Sequence, residues 1–250
     1  MDTPRLAGIT TLLLDADGTL FPSEEPAFVA SAVVTEEFAR DFGLTGDFSP
    51  ENLRRTTTGK NFRSTAQDLL AQHGTVLDAG QLQTWVDREK AEVTAYLGQV
   101  LKPEPDVVKA LTLLSRNYRL AVVSSSALTR LAACITAGGL DELLPPAVRF
   151  SAEDSLPVPT SKPDPAVYQL ALDRLGIESN QAIALEDSVS GTGSAVAAGI
   201  ITAGIVQFVP ADERADRKSR LREAGAAWVT DSWEHFARDV SPHTAATVTP

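Results

Sequence analysis

The run I-T-T-L-L-L-D-A-D-G-T, residues 9–19, ends a buried apolar segment in two carboxylates spaced two apart and then a glycine. Alternate side chains of a strand point to the same side, so Asp15 and Asp17 can face one location just where the strand runs out. Gly18 lets the chain turn sharply there. A single strand is not stable alone, so this one needs partners from elsewhere in the chain. In open parallel sheets ligands bind at the carboxyl ends of the strands, which is where this pair of acids falls. The same residue types also make solvated turns. A helix-loop-helix calcium loop fits poorly, because an apolar strand precedes the acids and Pro26 stands where the closing glutamate belongs.

The partners are found beyond Pro103, where helical stretches alternate with the apolar runs Leu120 to Val123, Ala182 to Leu185 and Ile200 to Ile205, and a shorter one at Ala226 to Val229. That alternation is the pattern of right-handed β-α-β units around a parallel sheet. Between about Glu24 and Leu97 the pattern is instead one helical stretch after another, over 26–42, 62–73 and 80–97, with no convincing buried strand. The expected organisation is an α/β core made of residues 1–20 and 101–239, interrupted by a helical insertion over 22–98. Chain crossings at 21–23 and 98–105 would act as a hinge, and 240–250, without periodicity, is expected to be a disordered tail. At 250 residues and 43% apolar the chain can bury a full core.

Composition removes several classes of function. The apolar runs fall far short of the roughly 20 residues a membrane span needs, and acidic Asp2 with no apolar region after it is not a secretory signal, so a cytoplasmic setting is expected. Cys134 is the single cysteine, which rules out an intrachain disulfide or a thiolate metal cluster and leaves it as a small packed hydrophobe. His73, His235 and His243 have no ligand spacing. A net charge of -11 argues against nucleic-acid or anionic membrane surfaces, so any anionic ligand has to be held by local lysines and a divalent metal.

Three further loci follow the core runs. A-V-V-S-S-S puts Ser124 at a strand end, with Ser125, Ser126 and a helical start behind it, which suits either an anion or a helix cap. T-S-K-P-D-P fixes Lys162 ahead of a helix opened by two prolines. A-I-A-L-E-D-S ends a strand in adjacent Glu186 and Asp187, with S-G-T-G following.

Acid pair, hydroxyl, lysine and acid pair, in that order at the ends of one sheet, resemble the four motifs of the haloacid dehalogenase-like hydrolase superfamily, over nearly the whole chain. The resemblance implies an α/β fold: a Rossmann-like parallel sheet core with an inserted helical-bundle cap of the first cap class. The stretch E-D-S-V-S-G-T-G-S-A-V-A-A-G-I is similar to the branch that contains phosphoglycolate phosphatase, sugar-phosphate phosphatases and β-phosphoglucomutase. By that resemblance Asp15 is the nucleophile that forms an aspartyl-phosphate, Asp17 the general acid and base, and Lys162 the cation between nucleophile and phosphate. Ser124, Ser125 and Thr19 would hold phosphoryl oxygens. Mg2+ would be bound by Asp15, Asp187, the backbone carbonyl of Asp17, and Glu186 directly or through water. An aspartate at position 17 favours phosphoryl over carbon–halogen chemistry.

The function so implied is a magnesium-dependent phosphatase for a small phosphorylated sugar, polyol or sugar acid, acting as a monomer or homodimer. Lys60, Asn61 and Arg63, between two cap helices, are candidates to read the leaving group, with Arg63 preferred, and Glu24 binds a hydroxyl or caps the first cap helix. The rival is a phosphosugar mutase, weakened by Ala127 where such mutases carry a lysine and by P-S-E-E-P-A-F at the first cap helix. A non-catalytic binding protein is disfavoured because Asp15, Lys162 and Asp187 are all present.

Overall fold

The computed structural model describes residues 8–57 and 61–241. The chain divides into two compact units, one from Pro22 to Lys102 and the other made of the residues up to Phe21 together with those from Pro103 onward. No helix among the described residues is long and apolar enough to cross a membrane.

β1 (Thr11–Leu14) is buried at every position. The chain then enters the helical unit, α1 (Glu24–Asp41), α2 (Pro50–Thr57), α3 (Phe62–Gln72) and α4 (Ala79–Val100). Local chemistry starts two of these helices: the Asn61 side chain accepts the N–H of Ser64 at the head of α3, and Asp78 accepts those of Gly80 and Gln81 at the head of α4. The unit closes around Phe38, whose ring lies 5.0 Å from Phe42, 6.0 Å from Phe62 and 5.5 Å from Trp85. These aromatics form a core, with edge-on contacts that add to their area burial.

The second unit resumes with α5 (Pro105–Leu114), β2 (Arg119–Ser124), α6 (Leu128–Ala137), β3 (Arg149–Ser151), α7 (Ala166–Leu175), β4 (Ala182–Glu186), α8 (Val189–Ala197), β5 (Ile201–Ile205), α9 (Arg214–Glu223), β6 (Trp228–Thr230) and α10 (Trp233–Val240). The six strands form one parallel sheet in the order β3-β2-β1-β4-β5-β6. β1 is therefore interior, with Leu12 level with Leu120 on one side and Ile183 on the other. Its continuous apolar run follows from helices covering both faces of a parallel sheet. From β1 the chain proceeds outward to β2 and β3, then returns to place β4 on the opposite side, so the strand order switches at β1 and β4. A crevice at the carboxyl ends of strands at such a switch point is the usual ligand position of this architecture.

The α/β class read from the sequence is the class observed. The sequence pattern yields five strands and the described residues contain six. β3, R-F-S, is three residues long and sits at the sheet edge, too short to show a period. The expected tail from 240 falls largely outside the described residues, as do Lys60 and His243; α10 itself runs to Val240.

Candidate active site

Asp15 follows the last residue of β1, and its N–H still donates to the Leu185 carbonyl at 3.0 Å, so the sheet ladder fixes the acid's backbone. Past it the chain folds back at once: the carbonyl of Ala16 accepts the N–H groups of Thr19, Leu20 and Phe21. Gly18 sits at φ 78°, where a side chain is strained, and a Cβ there would lie 2.3 Å from Asp187 Oδ2. Glycine is thus required twice over, by the backbone and by the neighbouring acid. Thr19 is fully buried, its hydroxyl donating to Asp187 Oδ1 at 3.3 Å and its carbonyl accepting the Trp233 indole N–H at 2.9 Å.

Lys162 joins the loci. Its Nζ donates to Asp15 Oδ1 at 2.6 Å, Glu186 Oε1 at 2.6 Å and the Val123 carbonyl at 2.7 Å, which uses all three ammonium protons. The Tyr168 ring lies 5.3 Å below the same nitrogen, and the Tyr168 hydroxyl donates to Glu186 Oε1. Burial alone would lower the Lys162 pKa, but the charges of Asp15 and Glu186 outweigh it and hold the ammonium pKa above its ordinary value. Asp15 is pushed upward by burial, with Lys162 pulling the other way and Asp17 adding to the rise. Glu186 is pushed up to about 7, again by burial first, against the pull of Lys162 and with the charge of Asp15 adding.

Negative charge is in excess here. Ligand oxygens of Asp15, Glu186 and Asp187 all lie within 4.8 Å of one another, and all three residues are buried. Glu186 Oε2 is buried without a hydrogen-bond partner. An oxygen-only donor set with one unsatisfied carboxylate oxygen fits a hard divalent cation, which would satisfy that oxygen and neutralise the cluster. Arg217 approaches from α9, donating to the Asp187 carbonyl at 2.9 Å with Asp187 Oδ2 at 3.6 Å.

The hydroxyl locus is at the end of β2. Ser124 Oγ accepts the N–H of Ser126 at 3.0 Å, which braces the β2 loop internally, and Ser125 Oγ accepts the N–H of Lys162 at 3.1 Å, which ties that loop to the lysine loop. The side chain of Asp17 lies outside the three-carboxylate cluster. Its Oδ2 accepts from the Ser126 hydroxyl at 2.8 Å and its Oδ1 from Arg130 at 3.0 Å.

A family model for haloacid dehalogenase-like hydrolases matches residues 9–199, spanning all four loci. The chain belongs to the haloacid dehalogenase-like hydrolases. It is 30% identical over 84% of its length to the validoxylamine A 7'-phosphate phosphatase of Streptomyces hygroscopicus subsp. limoneus, covering 92% of that protein. A phosphorylated carbohydrates phosphatase of Thermotoga maritima is 28% identical over 76% of this chain and 81% of its own. Among solved structures, a family hydrolase of Deinococcus radiodurans with bound phosphate and sodium has a TM-score of 0.65 at 25% identity, covering 94% of this chain and 99% of that one.

In this haloacid dehalogenase-like hydrolase the structure gathers Asp15, Lys162, Glu186 and Asp187, with Thr19 bonded to Asp187. Arg63 lies in the first turn of α3 rather than in a loop, and its guanidinium donates to the Gln83 side chain on α4. Glu24 opens α1, and His73 ends α3, its Nε2 accepting the N–H of Thr45. Two neighbours of the site, Arg130 and Tyr168, carry no motif signal, and two that lie within the quoted motifs, Ser126 and Gly191, are given no role of their own by them. The last is a glycine because a Cβ would lie 1.8 Å from Glu186 Oε2.

Proposed function

We propose that this phosphoric monoester hydrolase is a magnesium-dependent phosphatase of a small phosphorylated sugar, polyol or sugar acid, working through an aspartyl-phosphate on Asp15. The observation that carries it is Lys162 bridging Asp15 and Glu186, with Asp187 beside them and Glu186 Oε2 left to a cation. Asp15, Glu186 and Asp187, with the backbone carbonyl of Asp17, would hold Mg2+, which when bound neutralises charge between carboxylate and phosphate.

The chain's own groups do the rest. A carboxylate oxygen of Asp15 forms the bond to phosphorus as the bond to the leaving oxygen breaks, and Asp17 gives that oxygen its proton. Water then attacks the aspartyl-phosphate, Asp17 takes a proton from it, and inorganic phosphate leaves with Asp15 regenerated. Lys162 offsets the repulsion between nucleophile and phosphoryl group, and Ser124 and Ser125 hold phosphoryl oxygens, while Thr19, its one hydroxyl proton given to Asp187, steadies that acid instead.

The named relatives, which act on phosphorylated carbohydrates and on validoxylamine A 7'-phosphate, support the substrate class. The unit from Pro22 to Lys102 takes the part of the cap, with Arg63 and Lys60 reading the leaving group. Hydrolysis is favoured over a mutase because Ala127, where those mutases carry a lysine, is a buried apolar residue at the head of α6. A cytoplasmic setting suits Cys134, whose thiol is buried and pushed up to about 12, mainly by that burial.

The test is phosphate release from a panel of sugar, polyol and sugar-acid phosphates, with Mg2+ and with excess chelator. Phosphate should appear in step with substrate loss and stop on chelation. Isomerised sugar phosphate without phosphate release, or full activity in chelator, overturns the reading.

A further inference from the structure

Asp17 differs from the other acids in how it is held. Its side chain is 31% exposed, and each of its two carboxylate oxygens has its own donor from one short segment, Ser126 on Oδ2 and Arg130 on Oδ1. That segment is stiff. The N–H of Ser126 is bonded to Ser124 Oγ, and the N–H of Leu128 to Asp154 Oδ2 at 2.6 Å. Behind Arg130, α6 buries Leu131, Cys134 and Ile135. At its end, a Cβ on Gly138 would come 2.6 Å from the Phe21 ring, so the helix lies hard against the turn that carries Asp17.

An aspartate left to itself samples several χ1 wells and a broad χ2. A carboxylate held at each oxygen by a separate donor keeps one position and one plane; both contacts are charge-assisted, and at Arg130 the donor is itself a cation. A part-exposed ion pair contributes little to stability, so the arrangement matters chiefly for where Asp17 points.

We propose that Arg130, assisted by Ser126, is a positioning residue for the reaction. It fixes the Asp17 carboxylate in the orientation from which a proton reaches the leaving oxygen, and it acts on the chemistry through Asp17 alone. This rests on the phosphatase reading given above.

The dependence on leaving group tests it. An alkoxide needs a proton as it departs, whereas 4-nitrophenolate leaves as the anion, and kcat/KM reports the steps up to the aspartyl-phosphate. Arg130→Met keeps the apolar stem and removes the donor. It should lower kcat/KM for an alkyl phosphomonoester roughly tenfold or more and that for 4-nitrophenyl phosphate by less than about threefold. Ser126→Ala should shift the same ratio in the same direction, to a smaller extent. In an Asp17→Asn background, Arg130→Met should cause no further loss, because its route to the chemistry is gone. An equal fall on both substrates, or an additive loss in the Asp17→Asn background, overturns the inference for Arg130. If Asp17→Asn itself leaves the alkyl-to-aryl ratio unchanged, the role of Asp17 in the underlying reading fails, and this inference fails with it.

Discussion

Gly191→Ala puts the packing of the site to a quantitative test. Gly191 lies in α8 and has no positive φ, so by helix propensity alone alanine would be better by about 1 kcal/mol. The added Cβ, however, would lie 1.8 Å from Glu186 Oε2, 2.3 Å from its Cδ and 2.5 Å from Oε1. All three terminal atoms are too close, so rotating the carboxylate does not relieve the clash and the side chain has to move as a whole. Glu186 is fully buried and bonded to Lys162 and Tyr168, and moving it breaks both contacts. Overpacking costs about 1–3 kcal/mol, and disrupting a buried charge pair about 3–5 kcal/mol. After the propensity gain, a net destabilisation of roughly 3–7 kcal/mol is expected, a fall in Tm on the order of 10–20 °C for a chain of this size. Turnover should drop on the order of 100-fold as the acid cluster shifts. Gly193→Ala is the internal control: it is in the same helix, and its Cβ meets only Pro163 Cβ at an ordinary 3.7 Å. It should be stable to the same degree or raise Tm by about 2–4 °C, what the propensity gain allows. Thermal unfolding of both variants by circular dichroism decides the matter, and equal behaviour of the two substitutions would refute the argument.

Asp15→Asn should abolish the acid-stable labelling of the protein by a phosphoryl donor, and both it and Asp17→Asn should lower turnover on the order of 100-fold or more; near-normal turnover in Asp15→Asn removes the covalent route. Burial raises Glu186 from an ordinary 4.5 to about 7, so the folded, metal-free protein binds this proton more tightly than the unfolded chain does. Its stabilisation is complete below about 4.5 and lost as pH rises through about 7, a change on the order of 3 kcal/mol. In chelator, Tm should therefore fall more steeply between pH 5 and 7.5 in the wild type than in Glu186→Gln, and parallel curves would count against it. Arg63→Ala should impair the best sugar phosphate of a panel more than 4-nitrophenyl phosphate, seen as a change in the kcat/KM ratio; an unchanged ratio takes Arg63 out of substrate recognition.

The parts of the site legible in the sequence were those lying at strand ends. Asp15, Ser124 and Glu186 each terminate an apolar run, and a carboxylate or hydroxyl at that place stands out against the leucines and valines before it. Lys162 lay beside prolines that mark its loop. What stayed hidden was fixed by proximity in space. Arg130 reaches Asp17 across more than a hundred residues of chain, Tyr168 reads as one more apolar position on α7, and the need for glycine at 191 appears only once Glu186 stands over it. β3 escaped because a three-residue edge strand has no period to read.

The sheet order also governs when the molecule can assemble. β1 emerges first from the ribosome, yet Thr11 pairs with Arg119 and with Ala182, so both of its neighbours are made much later. The helices of the Pro22 to Lys102 unit pack on one another, α1 against α4 above all, and can order while the T-L-L-L segment still waits for either side of the sheet. A leucine-rich strand with both edges open is prone to self-association for that whole interval. Asp15, at its end, gains its fellow acids only when β4 closes the centre, so a chain truncated before Ala182 would keep Asp15 and Lys162 and lack Glu186 and Asp187.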